Sequence, residues 1–258
     1  MNRLTIVRSE LFSKLPDLVF GMSTRIGGVS PEPLALNLSF GVGDDPKNVE
    51  ENRAKFFAAM SIPQPRLAFP KQIHSATVRN IREPGMYAGC DALVTASRGL
   101  YLAVSIADCV PIFLYNPVAQ AVAAVHSGWK GSRQGILRVS EHLMNIELGS
   151  RSEDILAFIG PSAGVCCYEV GEEVASEFDE KFVVRQGGRK PHLNLKAFNK
   201  EILIESGLRE DKIEISPDCT ICNTVYHSFR RDGSRSGRMY GVIGMKDVAT
   251  GVSGLPSQ

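Results

Sequence analysis

The sequence predicts one domain of the α+β class over residues 1–258, and three observations predict it. Apolar β-type runs of strand length occur at residues 101–107, 119–125 and 155–160. Helical spacing of apolar residues marks 49–60, 132–148 and 195–206. No internal repeat, low-complexity tract or shift in composition divides the 258 residues, which are enough to bury a substantial core.

Charge and composition exclude several classes. The 29 Lys and Arg nearly balance the 28 Asp and Glu, so no basic excess calls for nucleic acid. The longest apolar stretches fall short of a membrane span. The opening MNRLTIVRSELFSKL has no continuous apolar h-region and no small-residue cleavage site, so a cytoplasmic protein is expected. Without a signal sequence, the six cysteines read as reduced thiols or metal ligands rather than disulfides.

Residues 4–20 alternate weakly and predict an edge strand and a turn. The Gly-, Ser- and Pro-rich stretch after Gly21 reads as a long ordered loop, since apolar residues keep interrupting it. Within it, Arg25 stands beside Gly27-Gly28, where an arginine fork could grip a phosphate or carboxylate or simply sit on a surface turn. Asp44 or Asp45 before Pro46 signals the start of an amphipathic helix over 49–60. Residues 67–79 predict a strand with His74 in it or just past it, and a short strand after Gly89 leads through a turn at Arg98-Gly99 to the 101–107 run. Residues 132–148 predict a helix whose stripe is Ile136, Leu137, Val139, Leu143, Met144 and Ile146. The preceding HSGWKG offers backbone N–H groups at a helix start, where Trp129 reads as a core anchor.

After the 155–160 strand, a helix is expected from Val170 with Glu172 and Glu173 in its first turn. Cys166 and Cys167 are adjacent and expected to diverge, which disfavours a shared metal. KFVVRQGGRKPHLN predicts an exposed loop with His192 on the surface, and 195–206 a helix ended by Gly207. Ile213 and Ile215 predict a short strand before Cys219 and Cys222, a lone CxxC read first as ordinary buried thiols. VYHSFRRDGSRSGRMYGVIGM predicts a hairpin turning at Asp232-Gly233, with Arg230, Arg231, Arg235 and Arg238 clustered at its tip.

The chemistry concentrates in AVSIADCVPIFLYNPVAQAVAAVHSGWKG. The 101–107 and 119–125 runs each end near a side chain able to bind a metal, Cys109 and His126, and Asn116-Pro117 suggests that the two runs pair. KQIHS supplies a third such side chain, His74. Singly, Cys109 reads as a small buried hydrophobe and His74 as a structural histidine. Together, two imidazoles and a thiolate make the donor set of a catalytic zinc with one position open. Asp108, a carboxylate in so apolar a stretch, must be paired or ligating to be buried.

STRIGGVS, LNLSFGVGDDPKNVEENR, KQIHS, DALVT, ADCVPI, HSGWKG, IGPSAGVCCYEVG, CT and FRRDGSRSGR resemble, in that order, the laccase-domain proteins. That family is also known as purine nucleoside phosphorylase or polyphenol oxidase and includes the peptidoglycan editing factors. The resemblance spans about residues 21–245 and implies an α/β/β/α sandwich like the catalytic domain of cytotoxic necrotizing factor. It also implies zinc on His74, Cys109 and His126, with phosphorolysis of adenosine, inosine, guanosine and methylthioadenosine, and adenosine deamination. On it we expect His74, Cys109, His126 and Asp108 to be catalytic, and Arg25, Asn37 and Gln72 to bind nucleoside and phosphate. Asp108 would orient a histidine or move protons.

Two features depart from expectation. Zinc deaminases of the cytidine type carry H-x-E, whereas His74 and His126 are followed by Ser-Ala and Ser-Gly, so deamination needs a carboxylate such as Asp108 or Glu169. His227 stands where an aromatic or apolar residue is expected, and we do not count it as a ligand. Five histidines are too few for a multicopper oxidase, although one His₂Cys copper centre remains open on ligand type. A cysteine hydrolase with Cys109 as nucleophile and His126 as base, and a non-enzymatic metal-dependent binding protein, complete the alternatives.

Overall fold

The computed structural model describes residues 3–247; residues 1–2 and 248–258 of the expected domain lie outside the described residues. In chain order the first half contains β1 (Ile6–Val7), α1 (Glu10–Ser13), β2 (Leu18–Ser23), α2 (Pro46–Ala59), β3 (Leu67–Lys71), β4 (Val78–Asn80), β5 (Gly85–Ala88), β6 (Ala92–Thr95), β7 (Tyr101–Ile106), β8 (Val110–Asn116) and β9 (Ala121–Ser127). The second half contains α3 (Trp129–Arg133), α4 (Ile136–Leu148), β10 (Leu156–Ile159), α5 (Glu172–Ala175), β11 (Val183–Val184), β12 (His192–Leu193), α6 (Leu195–Glu205), β13 (Ile213–Ile215), α7 (Phe229–Asp232) and β14 (Met239–Met245). None of the helices is long and apolar enough to cross a membrane among the described residues.

Two six-stranded mixed sheets form the α+β framework, ordered β1-β2-β14-β7-β3-β5 and β13-β10-β8-β9-β6-β4. Three cores stack across them. Phe56 and Phe57 of α2 pack with Tyr101, Ala103, Tyr240 and Val242 on the outer face of the first sheet. Between the sheets, Phe20 meets Phe113 and Phe158 edge-on at ring-centroid distances of 4.9 and 5.1 Å. Each such buried ring contributes about 1.5–3 kcal/mol of transfer free energy. The outer face of the second sheet packs Val94, Leu114 and Val125 against Ile136, Leu137 and Met144 of α4 and Leu203 of α6. The layers therefore run helix, sheet, sheet, helix. Because β7, β8 and β9 are covered on both faces, they are apolar at nearly every position instead of alternating.

That double burial misleads the pairing expected from sequence. The strand paired with β9 through the Asn116-Pro117 turn is β8, whereas the 101–107 run becomes β7 in the other sheet. Asn116 caps the turn by accepting from the backbone N–H groups of Val118 and Ala119, both at 2.9 Å. Residues 67–79 are likewise two strands: β3 lies in the first sheet, β4 in the second, and His74 sits in the loop between them. The predicted 132–148 helix begins earlier, at Trp129, and breaks at Gly135 (φ 80°) before α4.

The expected hairpin over 225–245 is absent as such. Ser228 accepts from the Arg231 N–H and caps α7, Gly233 ends it, and only 239–245 forms a strand, paired with β2 and β7. Local turn chemistry at Asp232-Gly233 served a helix end here. The helix expected from Val170 is the single turn α5, while α2 and α6 lie close to their predicted spans. His192, expected on the surface, is half-buried in the β11–β12 ladder, where its Nδ1 lies 2.7 Å from the Val165 carbonyl oxygen.

The connections that leave one sheet for the other position the site. The link from β3 to β4 carries His74, and the link from β7 to β8 carries Asp108 and Cys109. Pairing of Val110 with Ser127, and of Met239 with Ile106, brings the end of β9 and the start of β14 to the same rim.

Candidate metal centre and cavity

His74, Cys109 and His126 converge: one ligand atom from each lies within 4.8 Å of the others, and the two imidazole rings stand 5.0 Å apart between centroids. The carboxylate of Asp91 organises both histidines. It lies 2.9 Å from His126 Nδ1, leaving Nε2 for the thiol or a metal. The same carboxylate accepts from three successive backbone N–H groups, those of Ile73 (3.2 Å), His74 (2.9 Å) and Ser75 (2.7 Å), and from Ser75 Oγ (2.9 Å). This grip holds His74 in the left-handed region at φ 59°, a conformation that L residues adopt only when their surroundings fix it.

Burial would raise the Asp91 carboxyl, but the hydrogen bonds from His126 and Ser75 outweigh it and hold its pKa well below the usual carboxylate range. Burial would also raise the Cys109 thiol, yet the two imidazoles, His126 foremost, bring it down to about 6. His126 moves oppositely: burial lowers it, and the Cys109 thiolate and Asp91 together raise it to about 9. The two shifts share one cause, since each group favours the charged form of the other. A cation held there would replace the imidazolium proton as the partner of the thiolate.

The donor set fits a metal ion, and so does the space. Gly128 opens the floor of the site: a Cβ there would come within 3.1 Å of both Cys109 Sγ and His74 Nδ1. We expect Gly128→Ala to leave the fold intact while pushing the two donors apart. Metal affinity, measured by competition with a chromogenic chelator, should fall by about tenfold, since both donors must give by a few tenths of an ångström.

Asp108 takes a different place from the one expected. Its carboxylate accepts from Thr220 Oγ1 (2.6 Å), Ser228 Oγ (3.0 Å) and the Arg230 N–H (2.7 Å), so it anchors the 220–230 segment, and orientation of the histidine falls to Asp91. Asp108 (φ 88°) still lines the cavity beside Cys109. Asp91 was missed because, in sequence, it is one acidic residue at the start of a short strand. Its adjacency to Cys90 carried no signal of the two histidines it would meet.

The cavity above the three donors measures about 790 Å³, the size of a small-molecule site. Its walls include Gln72, Trp129, Tyr168 and Phe229, with Lys71, Lys130, Arg230 and Arg238 supplying positive charge. Arg25, the expected phosphate ligand, is not among the lining residues; its guanidinium pairs with Glu32 and reaches the Pro33 carbonyl. Asn37 is fully buried. Its amide bonds Ser39, Asp44 and the Arg238 N–H, which makes it a brace for the arginine that faces the cavity. Gln72 lines the cavity, but its amide is engaged at both ends with the Ser105 backbone, at 2.9 and 2.7 Å. Trp129, expected in the core, is half-buried at the cavity wall. Glu169 turns away to His192 at 3.7 Å and lines a separate pocket. His227 is buried outside the ligand group.

A second cluster was unexpected. Cys166, Cys167, Cys219 and Cys222 place their sulfurs within 4.8 Å of one another, although adjacent cysteines were expected to diverge. Neighbouring side chains point to opposite faces only in extended chain. Here residues 164–168 curl, with the N–H groups of Cys167 and Tyr168 both bonded to the Gly164 carbonyl, and both thiols turn to one side.

A family model described as multi-copper polyphenol oxidoreductase laccase matches residues 19–246. A purine nucleoside phosphorylase of Deinococcus radiodurans is 40% identical over 231 residues, covering 86% of this chain and 87% of the relative. Purine nucleoside phosphorylase YlmD of Bacillus subtilis is 32% identical, with 90% of each chain covered. Among solved structures, the hypothetical protein YfiH of Bacillus licheniformis superposes with a TM-score of 0.88 at 30% identity, covering 94% of this chain and 97% of that one. YlmD of Geobacillus stearothermophilus gives 0.87 at 30% identity, with 93% and 94% covered. With the match running through every segment that builds the cavity, the chain belongs to the laccase-like family of YfiH and YlmD, whose curated members include proteins named purine nucleoside phosphorylase.

Proposed function

We propose that this protein, working as a single domain, is a zinc-dependent purine nucleoside phosphorylase. It would cleave adenosine, inosine, guanosine or methylthioadenosine with phosphate to the free base and ribose 1-phosphate or its 5-methylthio form. One observation carries the reading: a single cavity joins a His₂Cys donor set to a wall bearing Arg230 and Arg238. The names of the relatives support it. Zinc on His74, Cys109 and His126 would supply a Lewis acid able to polarise a sugar or base atom.

In phosphorolysis the bond between the anomeric carbon and the purine nitrogen breaks, and a phosphate oxygen bonds that carbon. The purine leaves with the electron pair. The protein must therefore hold a dianion beside the sugar and donate to the base. Arg238 is half-buried against Phe229, its guanidinium carbon 5.5 Å from the ring centroid, and Arg230 lies over Tyr168 at 5.1 Å. Both present guanidinium groups suited to phosphate oxygens. Burial raises the Tyr168 phenol, and the Cys109 thiolate adds to this, to about 12, so Tyr168 stays protonated at neutral pH and can donate to the departing base. Asp108 fixes the Arg230 backbone and thereby that wall.

The test is to incubate zinc-loaded protein with a nucleoside panel, with and without phosphate, and identify the products. Release of base that requires phosphate and yields the sugar phosphate supports the proposal; base release independent of phosphate sinks it. Arg238→Ala should raise the KM for phosphate by about tenfold or more while shifting that for nucleoside little, on the scale of one lost charge-assisted bond. Arg25→Ala, away from the cavity, should leave both nearly unchanged.

A second reading has one observation in its favour: the low pKa of Cys109 beside His126 is that of a nucleophilic thiol. The sandwich layering supports a likeness to the cytotoxic necrotizing factor catalytic domain and a hydrolase editing cell-wall precursors. Turnover that survives complete removal of metal would favour it. Adenosine deamination rests on Asp108 alone, since Glu169 faces away. A copper oxidase draws less support, because His142, His192 and His227 stand outside the donor group.

A further inference from the structure

We propose that Cys166, Cys167, Cys219 and Cys222 form a second metal site, closed and structural, that binds one Zn²⁺ through four thiolates. The four sulfurs lie within 4.8 Å of one another, and Cys166 and Cys222 are 4.0 Å apart. Zinc–sulfur bonds of about 2.3 Å in a tetrahedron space the sulfurs by about 3.8 Å, so a contraction of under about 1 Å completes the site. All four are free thiols, on two turns brought together where Ser162 pairs with Cys219.

The surroundings are built for thiolate sulfur. The Gly164 N–H donates to Cys219 Sγ at 3.2 Å. Residue 164 has no room for a side chain: a Cβ would come within 3.0 Å of Cys219 Cβ and 3.3 Å of Cys166 Sγ. Charge supplies an independent argument. Lys196 is buried, and its ammonium bonds the carbonyls of Ser216 (2.8 Å) and Asp218 (2.6 Å), immediately before Cys219. No carboxylate pairs with it among the described residues. A buried ammonium is costly, and four thiolates around Zn²⁺ carry a net charge of −2 that would add to the pull of the nearby Asp218 carboxylate on it. Binding releases the four thiol protons to solvent, so no oxidant or reductant is needed.

With every coordination position taken by protein sulfur, this ion has no place for substrate. Its role is to staple the 162–168 turn to the 216–223 turn. The first carries Tyr168 and Ala163 of the cavity wall; the second carries Thr220, which holds Asp108. The assignment does not depend on which reaction the cavity performs.

Full-length protein purified under reducing conditions, without chelator, should contain two zinc equivalents per chain by elemental analysis. Cys109→Ala should contain one, and so should Cys219→Ser and the exposed-site variant Cys222→Ser. In cobalt-substituted protein, strong thiolate-to-cobalt absorption should largely persist in Cys109→Ala and fall in Cys222→Ser toward what the single Cys109 thiolate contributes. A single equivalent in the wild-type protein that vanishes with Cys109→Ala overturns the proposal. So does a disulfide among these four cysteines, seen by mass spectrometry in place of the second ion, or cobalt absorption unchanged by Cys222→Ser.

Discussion

Cys109→Ala is expected to abolish both metal binding at the cavity and phosphate-dependent release of base. The side chain is the sole sulfur donor of its group and sits on the link between β7 and β8, so nothing nearby can replace it. Loss of one preorganised electrostatic group in a water-excluded site costs about a hundred- to a thousandfold in rate. Loss of the ion that the group helps to hold should cost at least about a thousandfold. The fold should survive, because Cys109 contributes little apolar area beside β7, β8 and β9. Near-wild-type turnover in a Cys109→Ala protein without metal at the cavity would remove the proposed function altogether; thermal melting curves and elemental analysis on the same samples separate misfolding from loss of that ion.

The second large effect belongs to a residue that touches neither substrate nor metal. Asp91→Asn should weaken metal binding by about ten- to a hundredfold, the range found for carboxylates behind a ligating histidine. It should also cost about 1.5–3 kcal/mol of stability in the metal-free protein, since buried His126 keeps the Cys109 thiolate beside it but loses the carboxylate that holds its Nδ1. The pH dependence gives the signature. The folded-state pKa of Asp91 is depressed, so its contribution is fully present above the unfolded carboxylate value of about 4 and is lost as pH falls toward its folded value. Denaturant titrations should therefore show a gap between wild type and Asp91→Asn that widens from about pH 9 to pH 6 as His126 takes up its proton, holds to about pH 5, and narrows below about pH 4. A gap that grew in acid would mean that Asp91 is protonated in the folded state.

What the sequence discloses about this site follows from how each residue acts. Cys109 and His126 were readable because each follows an apolar run, where a polar donor stands out locally, and His74 gained meaning as the third donor that completes their set. Asp91 acts through partners 16 to 35 residues away, a convergence that exists only once β6 has paired with β9. Arg25 drew attention through its neighbouring glycines, yet Arg230 and Arg238 reach the cavity because Asp108 and Asn37 hold the backbone at 230 and 238. The same distinction governs the fold. α2 and α6 carry their own caps at Asp45 and Asn194 and were predicted nearly residue for residue. Which sheet β7 would join could not be read, because strands buried on both faces have no polar side to declare a partner. The hairpin expected over 225–245 failed for a related reason: Ser228 and Asp108 cap a helix there, and one of those two lies 120 residues upstream.

The division of labour between crossovers and loops bears on how such a protein diversifies. His74 and Cys109 ride on short connections whose path is dictated by both sheets, so they have little freedom to change without unravelling the architecture. Lys130, Arg230 and Arg238 sit on segments outside the sheets, where an exchange alters which molecule is admitted and leaves the anchoring frame untouched. A lineage built this way can change which small molecule it admits through a handful of replacements around the mouth while inheriting the same trio of donors at the floor.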